Sequence, residues 1–329
     1  MTSSRTSPFG GSMNRESFSI GKAGAWLVLG LVLLGSLFPV YWSLRTSLSN
    51  NTELFDEPAN LLPPDATTFN FERVLGIGDI TREEIEAAGA NDAKFSILRA
   101  VLNSVIVATG ITVFQVFFCA MAAYAFARLK FKGRELLFTI YLSALMIPPI
   151  FSLIPNFLFV RDLQLRLGLF TIDLSWLPFT GKAGYVNTYI GLMLPFLFMT
   201  PFAVFFLRQF FIGISREVEE AAVLDGAGHF RRFFQVIVPM SVAPLATLAL
   251  ITYITAWNEF LWPFTVGKEE SIRVVTVALN DFKSQTPGLI RPDWSGLMTA
   301  TFIAGAPIIA LFAVLGRRVV DSIGFSGIK

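Results

Sequence analysis

The sequence predicts an all-α, polytopic membrane protein with six transmembrane helices. Hydrophobic residues make up 53% of the 329 residues and charged residues only 15%, whereas about a quarter of a typical soluble domain is charged. Six stretches contain no Asp, Glu, Lys or Arg, and each reaches the roughly 20 residues that a helix needs to cross a bilayer. Isolated strands would leave backbone groups unpaired in lipid, so helices are predicted. The stretches are Ala23–Leu44, Ala100–Ala127, Leu136–Val160, Ala183–Leu207, Phe233–Asn258 and Trp294–Gly316.

These stretches divide the chain into two tails, an anchor, an external segment and a core. The predicted units are a cytoplasmic N-terminal tail (1–21), a first transmembrane helix (22–44), an extracytoplasmic segment (45–97), a core with five transmembrane helices (98–318) and a cytoplasmic C-terminal tail (319–329). In the external segment, Thr81 and Glu84 have the spacing of a capping box, which starts a helix. Gly89 is expected to end that helix.

The distribution of charge predicts that both termini are cytoplasmic. With that orientation the cytoplasmic segments carry 14 basic and 7 acidic residues, and the external segments carry 12 basic and 17 acidic residues. The short loop at 128–134 holds four basic residues, which is the clearest sign that it lies inside. The same assignment places the charged segment 215–239 in the cytoplasm.

This charged segment separates the fourth and fifth apolar stretches and predicts two short helices around a turn. Ser215 can cap the first helix. The Asp225–Gly226 pair ends it, because glycine tolerates the left-handed conformation that often follows a helix. The second helix begins near His229, and we expect its basic side chains to point outward and its aromatic side chains to point inward. These are Arg231 and Arg232, and Phe230, Phe233 and Phe234.

Prolines and a polar helix end indicate a transport pathway. Pro148, Pro149 and Pro155 lie in the third apolar stretch, and prolines in a lipid-embedded helix imply kinks that face protein or a water-filled cavity. The fifth stretch ends in Trp257, Asn258 and Glu259, whose amide, acid and aromatic ring could line the mouth of a pathway. The alternative is an aromatic belt at the membrane interface with a capping polar pair.

Several motifs resemble one family of membrane proteins. Glu220-Ala221-Ala222, Gly226 three residues later, and Val236, Val238 and Pro239 resemble the EAA loop of ABC importer permeases, with valines in place of the usual Ile and Leu. The Asn103-Ser104 start and the Ala-Tyr-Ala-Phe-Ala-Arg end of the second stretch are similar to the same family. So are the W-N-E-F-L-W-P run at Trp257–Pro263 and the Gly-rich tail. Across nearly its whole length the chain resembles the MalG-like permease subunit of maltose-type carbohydrate importers.

This resemblance implies the type I permease fold of ABC importers and the rest of a transport machine. The expected partners are a second, MalF-like permease subunit, two ATPase subunits that carry ATP and Mg, an extracytoplasmic sugar-binding protein and membrane lipid. The implied location is the plasma (inner) membrane of a bacterium or archaeon. The function implied is ATP-driven import of a sugar, such as a di- or oligosaccharide, delivered by the binding protein.

The resemblance also assigns roles to residues. The implied ATPase-coupling residues are Glu220, Ala221, Ala222, Asp225, Gly226 and Pro239. The candidate pathway or mouth residues are Asn103, Pro148, Trp257, Asn258 and Glu259. The candidate loop for contact with the binding protein contains Lys283, Gln285, Pro287 and Gly288.

Missing motifs exclude most kinds of enzyme. No G-x-x-x-x-G-K-[ST] sequence is present to hold nucleotide phosphates, and a single histidine, His229, cannot supply a zinc site. We therefore predict a transport subunit with no catalytic residues, metal, cofactor or nucleic-acid partner of its own. The alternatives are a permease of the same family for another solute such as glycerol phosphate, and a sodium-coupled carrier. No ionisable residue lies deep in a span, which counts against a proton-driven carrier.

Overall fold

A computed structural model describes most of the chain. The described residues are 20–56, 60–63, 65–90, 96–162, 164–167, 170–173, 184–282 and 292–324. Nearly all of the predicted N-terminal tail therefore lies outside the described residues. So do Lys283, Gln285, Pro287 and Gly288 of the candidate binding-protein loop.

Three of the six predicted spans are single long helices. They are α1 (Ile20–Ser47), α5 (Ile97–Arg128) and α16 (Trp294–Gly324). Each contains a window long and apolar enough to cross a membrane. Between α1 and α5 lie three short helices, α2 (Asn51–Asp56), α3 (Phe69–Leu75) and α4 (Arg82–Ala87). The last helix continues to Gly324, so its backbone extends into the range predicted as a tail.

The other three spans are broken helices. The third consists of α6 (Arg134–Ser143), two 3₁₀ turns (Ala144–Met146 and Pro149–Ser152) and α7 (Leu153–Asp162). The fourth consists of α8 (Tyr189–Met193), a 3₁₀ turn (Leu194–Phe196) and α9 (Pro201–Gly213). The fifth consists of α11 (His229–Arg232), a π-helical turn (Phe233–Ile237), α12 (Val238–Met240) and α13 (Val242–Asn258). The bends are 95°, 53° and 81°, and counting each bent pair as one span gives six in the described chain.

Prolines account for two of these breaks, as the sequence predicts. Pro148 and Pro149 lie at the 95° bend, and Pro201 begins α9 after the 53° bend. A proline lacks the backbone N–H that would continue the helix, and its ring clashes with the preceding turn. Pro155 differs because it lies in the first turn of α7, where its missing N–H would have no helical partner.

The external segment contains the capping box that the sequence predicts. The Thr81 hydroxyl accepts from the Glu84 backbone N–H at 3.3 Å, and the Glu84 carboxylate accepts from the Thr81 N–H at 2.8 Å. This backbone hydrogen bond, together with one from the Thr81 hydroxyl, lowers the pKa of Glu84. Gly89 follows the helix with a φ of +64°. The short helix α4 is thus fixed at both ends by its own sequence.

A buried polar network joins the external segment to the start of α16. The Asn51 side chain donates to the carbonyls of Gly89 and Pro292 at 2.8 and 3.1 Å and accepts from the backbone N–H of the first residue of α16 at 2.9 Å. Arg73 and Asp293 form an ion pair at 2.6 Å, with 7% and 0% of their side chains exposed. The external segment is therefore part of the folded core and not a loose excursion.

The connection after the third span contains a feature that the sequence analysis missed. A two-stranded antiparallel hairpin pairs β1 (Gln164–Leu167) with β2 (Phe170–Asp173). The sequence patterns indicate no strand in this connection. Helical secondary structure dominates elsewhere, so the predicted helical fold class holds with this one addition in the described chain.

The long helix α5 is the centre of the bundle. It packs against α9 and α13, and α13 packs against α16, along which α1 also lies. Small buried residues on α5, including Ala120 and Ala123, let neighbouring helices approach closely. Many apolar side chains face outward, such as Leu34 at 67% and Met146 at 84% exposed. Exposed apolar surface on this scale belongs to a protein covered by lipid or by another subunit.

Side chains of α5 also satisfy the broken backbone of the fourth span. The free backbone N–H of Thr200, in the gap before α9, donates to Cys119 Sγ at 3.4 Å. The Thr200 hydroxyl accepts from the Gln115 side-chain amide at 3.1 Å. Two neighbouring turns of α5 therefore hold the gap in place.

Candidate functional site

The EAA loop, residues 215–239, begins with the helix α10 (Arg216–Leu224), which is capped at both ends. The Ser215 hydroxyl accepts from the Glu217 backbone N–H at 3.3 Å. At the other end Gly226 has a φ of +77°. Its N–H donates to Val223 O, and the next N–H donates to Ala222 O, both at 2.9 Å. These two bonds form a Schellman motif, the arrangement for which glycine is strongly preferred.

A buried ion pair attaches α10 to the bundle. Glu219 Oε1 lies 2.9 Å from Arg128 Nε, and the two side chains are 9% and 6% exposed. Arg128 is the last residue of α5, and its guanidinium also donates to the carbonyls of Phe211 and Ile214 at 2.5 and 2.6 Å. One arginine therefore holds the end of α5, the end of α9 and the EAA loop together.

The second half of the loop is anchored by apolar side chains. Phe233 and Ile237 are 3% and 0% exposed and lie in the cluster formed by α5 and α9. The Phe233 ring lies 5.4 Å from that of Tyr124. Phe233 and Ile237 both lie in the π-helical turn, which ends two residues before Pro239. Proline has no backbone N–H to donate to the preceding turn. π turns often occur where the regular helical ladder is interrupted in this way.

The expectation that Phe230 and Phe234 point inward is wrong. Their side chains are 70% and 49% exposed, and only Phe233 of the three is buried. The short helix α11 has only one turn, so one aromatic side chain can reach the core while its neighbours point away. The two exposed rings leave an apolar surface beside the charged residues of the loop.

The predicted coupling residues lie together on the outer side of this loop. Glu220, Ala221, Asp225 and Gly226 are exposed, and Ala222 is half-buried. Leu224 is 89% exposed beside them. Pro239 is also exposed but lies at the far end of the segment, after the π-helical turn. The loop thus presents a carboxylate, two small residues and several apolar side chains to whatever lies beyond the bundle.

Of the five candidate pathway residues, Glu259 has the position that a pathway residue needs. It is half-buried and lines two neighbouring cavities of about 220 and 310 Å³. Its carboxylate accepts from the Trp262 backbone N–H at 3.1 Å and so caps the short helix α14 (Leu261–Val266). Pro148 is exposed at the break of the third span, next to Pro149, which lines the smaller cavity.

The other three candidates are occupied elsewhere. Asn103 is 1% exposed, donates to the carbonyls of Ser271 and Arg273, and accepts from the Tyr189 hydroxyl at 2.6 Å. It therefore fixes a loop. Trp257 is buried and stacks on a tyrosine ring of α13. Asn258 is exposed and donates to a carbonyl of its own helix at 2.8 Å. Neither the predicted belt nor the predicted mouth describes all three residues.

Comparison with known proteins assigns the family. Residues 115–324 match the family described as the binding-protein-dependent transport system inner membrane component. The chain belongs to this family. It is therefore a multi-pass permease subunit of an ABC importer, as the motifs predict, and not itself an enzyme. The match favours an importer over a sodium-coupled carrier.

Three curated relatives match this permease along most of its length. The probable ABC transporter permease protein YurM of Bacillus subtilis is 29% identical over 316 residues, which cover 96% of this chain and 91% of the relative. The diacetylchitobiose uptake system permease protein NgcG of Streptomyces coelicolor is 29% identical over 300 residues, covering 91% and 85%. The sn-glycerol-3-phosphate transport system permease protein UgpE of Yersinia enterocolitica is 27% identical over 291 residues, covering 88% and 91%.

Two solved structures share the fold. A bacterial ABC transporter involved in the import of the acidic polysaccharide alginate gives a TM-score of 0.68 at 20% identity, over 94% of this permease and 99% of that chain. The alginate transporter in complex with an alginate pentasaccharide-bound periplasmic protein gives 0.53 at 13% identity, over 90% and 94%. At these identities the structural similarity supports a shared fold but not a shared substrate or shared residue roles.

The residues that hold the EAA loop were missed in the sequence analysis. The sequence places Arg128 among the four basic residues of the 128–134 loop and gives no sign of its pairing with Glu219. The contacts of Arg208 were also not predicted. Its guanidinium donates to both carboxylate oxygens of Glu135 at 3.1 and 3.2 Å and lies 4.2 Å from the centre of the Phe138 ring. Charged residues at the ends of predicted spans were the available signal, because such residues can pair across helices.

Proposed function

We propose that this permease imports a sugar, such as a di- or oligosaccharide, by an ATP-driven cycle with a sugar-binding protein. The observation that carries the proposal is the nearly full-length match to uptake-system permeases, of which one is named for diacetylchitobiose. ATP and Mg would be held by two partner ATPase subunits. A second, MalF-like permease subunit would complete the membrane part.

The lining of the two cavities beside Glu259 supports a neutral solute over glycerol phosphate. Polar groups in the larger cavity come from Gln115, Thr200, Thr252, Thr255 and Glu259, and the smaller one adds a serine and an asparagine. No basic side chain lines either cavity among the described residues. Amides and hydroxyls suit sugar hydroxyls as both donors and acceptors, whereas a phosphate would be repelled by the Glu259 carboxylate, which makes no ion pair with any described residue.

The EAA loop supports docking to an ATPase. Its outer side combines Glu220, which can pair with a basic group, with small Ala221 and with exposed Leu224 and Phe230. Exposed apolar side chains beside a charged group suit a protein contact in which the partner supplies the complementary charge. The buried side of the same loop is fixed by Glu219 and Phe233, so movement of the docked loop would reach α5 and α9.

The external loop before α16 is proposed to contact the binding protein. Residues 264–293 follow the pathway cavities in sequence, begin within α14 and contain α15 (Val275–Asp281). The candidate contact residues Lys283, Gln285, Pro287 and Gly288 come between α15 and α16. Donors near a tight Pro-Gly turn would suit sugar hydroxyls or the polar rim of a protein. A loop that only covers the bundle is the alternative.

Substrate preference tests the proposed function. We expect the complete importer, reconstituted in vesicles with its binding protein, to take up a labelled oligosaccharide upon addition of ATP and to exclude labelled glycerol 3-phosphate. Glu259→Gln should reduce sugar uptake several-fold without affecting sugar affinity of the isolated binding protein. Uptake of glycerol 3-phosphate in preference to every sugar tried would contradict the proposal.

Shortening Ser284–Leu289 to two glycines should slow uptake if the loop helps release the sugar.

Orientation is tested by cysteine labelling. In a Cys119→Ser background, a membrane-impermeant thiol reagent added outside should label Leu62→Cys, whose parent side chain is 72% exposed in the external segment. The same reagent should not reach Lys130→Cys in the basic loop. Leu62 is preferable to Gly89, where a Cβ would lie 2.8 Å from a threonine methyl group. Labelling at 130 and protection at 62 would reverse the proposed topology.

A further inference from the structure

A cleft rich in basic residues lies between the 128–134 loop and α10. Its volume is about 330 Å³, within the range of roughly 300 to 1,000 Å³ found for small-ligand sites. Five basic side chains line it, together with the acids Glu219 and Glu220. The five are Arg128, Lys130, Arg134, Arg216 and Arg232. We call this space the basic cleft.

The positive charge of the basic cleft is only partly balanced within the described chain. Arg128 is neutralised by Glu219, and Arg134 lies 2.8 Å from Glu135. Lys130 and Arg216 make no ion pair with any described residue. Glu220 is the remaining acid of the basic cleft, and it is exposed. Its single negative charge cannot balance the three positive charges of Lys130, Arg216 and Arg232.

The guanidinium of Arg232 is also under-satisfied. Its Nε is enclosed and has no acceptor within the described chain. Its Nη2 lies 2.5 Å from Nδ1 of His229, and an imidazole ring supplies no negative charge. A buried donor without an acceptor is unfavourable, and an anion in the basic cleft would satisfy it.

The basic cleft opens beside an apolar helix face. Lys130 and Arg134 also line an adjoining open hollow, which is bordered by Phe131 and Leu136. The next turns of α6 leave Leu137 and Ile140 uncovered, at 52% and 58% exposed, and Leu136 is 66% exposed. Basic donors next to an apolar helix surface match the two parts of a phospholipid, which are an anionic headgroup and acyl chains.

We propose that the basic cleft binds the phosphate of an anionic phospholipid, with the acyl chains lying along α6. Basic pockets at the cytoplasmic ends of transmembrane helices are suited to such headgroups. Lys130, Arg216 and Arg232 supply the phosphate donors. Because Arg216 is the first residue of α10, the bound lipid ties the membrane surface directly to the EAA loop.

Lipid retention by the complete importer tests this proposal. The probe is phosphatidylglycerol, added to importer purified in phosphatidylcholine nanodiscs, and bound lipid is counted by native mass spectrometry. The cleft variant is Lys130→Gln/Arg216→Gln. The variant removes two of the three proposed phosphate donors, so the affinity for phosphatidylglycerol should fall at least about tenfold.

The matched control is Arg231→Gln, which is compared with Arg216→Gln alone. Each change removes one positive charge from the EAA loop, but Arg231 lines neither the basic cleft nor the adjoining hollow. We expect it to retain phosphatidylglycerol as the parent does. Equal losses in both variants would mean that only the general surface charge attracts lipid, which overturns the proposal.

Two further results would also overturn it. If the cleft variant loses its ATPase subunits but keeps the lipid, the basic cleft is a protein contact. If inorganic phosphate alone displaces phosphatidylglycerol from the parent and binds with the same dependence on Lys130 and Arg216, the ligand is a free phosphate. Loss of bound lipid from an intact complex, with no displacement by inorganic phosphate, supports the lipid site.

Discussion

Replacing Gly226 with proline is expected to abolish coupled sugar import while leaving ATP hydrolysis by the assembled complex. Proline fixes φ near −65°, whereas Gly226 has a φ of +77°. The substitution also removes the N–H that donates to Val223 at 2.9 Å. The end of α10 would unwind, and the surface that carries Glu220 would lose its shape. Sugar uptake and ATP hydrolysis measured on the same vesicles would separate uncoupling from inactivity.

Alanine variants give a graded control for this result. Gly226→Ala should reduce coupled transport partially, because a left-handed conformation costs an L-residue about 1 to 2 kcal/mol. Gly228→Ala should be nearly neutral, since Gly228 has a φ of −70° and a Cβ there would meet open space. Equal effects of the two alanines would mean that the left-handed turn is irrelevant to coupling.

Glu220→Lys tests the contact without disturbing the turn. The side chain is exposed, so insertion and thermal stability should remain at parental values. Reversal of its charge should prevent docking to the ATPase and uncouple hydrolysis from import. Normal coupled transport by both Gly226→Pro and Glu220→Lys would refute the proposed role of the EAA loop.

The second large effect is expected from breaking the buried pair between Arg128 and Glu219. Removal of one partner leaves a buried charge without its counterion, which destabilises by about 3 to 5 kcal/mol. Arg128→Met should be the more harmful single change, because Arg128 also donates to two carbonyls at the end of α9. Thermal unfolding in detergent and co-purification of the ATPase subunits report the two consequences, loss of stability and loss of docking.

A double-mutant cycle checks the mechanism. Arg128→Met/Glu219→Leu should recover part of the stability lost by Arg128→Met alone, since it leaves no buried carboxylate without a counterion. The exposed pair Arg82 and Glu86, with side chains 82% and 68% exposed, supplies the control. Arg82→Met should change stability by less than about 1 kcal/mol. Additive losses in the cycle would show that Arg128 and Glu219 act independently.

Local chemistry allowed the sequence to predict the capped and apolar parts of the fold. The Thr81–Glu84 box and the Gly226 turn follow from side-chain and backbone preferences within a few residues, and both are present. The six spans follow from hydropathy alone. Hydropathy does not report the direction of a helix, so the bends were not fully predicted. The 81° bend after α12 depends on how Phe233 and Ile237 pack against α5 and α9, which composition does not report.

The candidate site was predicted less completely because its residues act across long sequence separations. The EAA spacing located Glu220 and Gly226, which are local features of one helix. The Arg128–Glu219 pair joins residues about 90 positions apart, and neither the charge count nor the helix pattern distinguishes Glu219 from Glu220. Asn103 is a case in which a motif reports position but not contacts. Its place in a family motif suggested a pathway role, and in the structure its side-chain amide donates to the carbonyls of Ser271 and Arg273 in the connection before α15.

The contacts of Thr200 with Gln115 and Cys119 set where the fourth span can flex. An unpaired backbone N–H in lipid costs several kcal/mol, so the gap before α9 is held at the level of α5 that supplies its acceptor. The position of the break in one span is thus specified by the side chains of another, so a change at Gln115 or Cys119 acts on α9 as well as on α5.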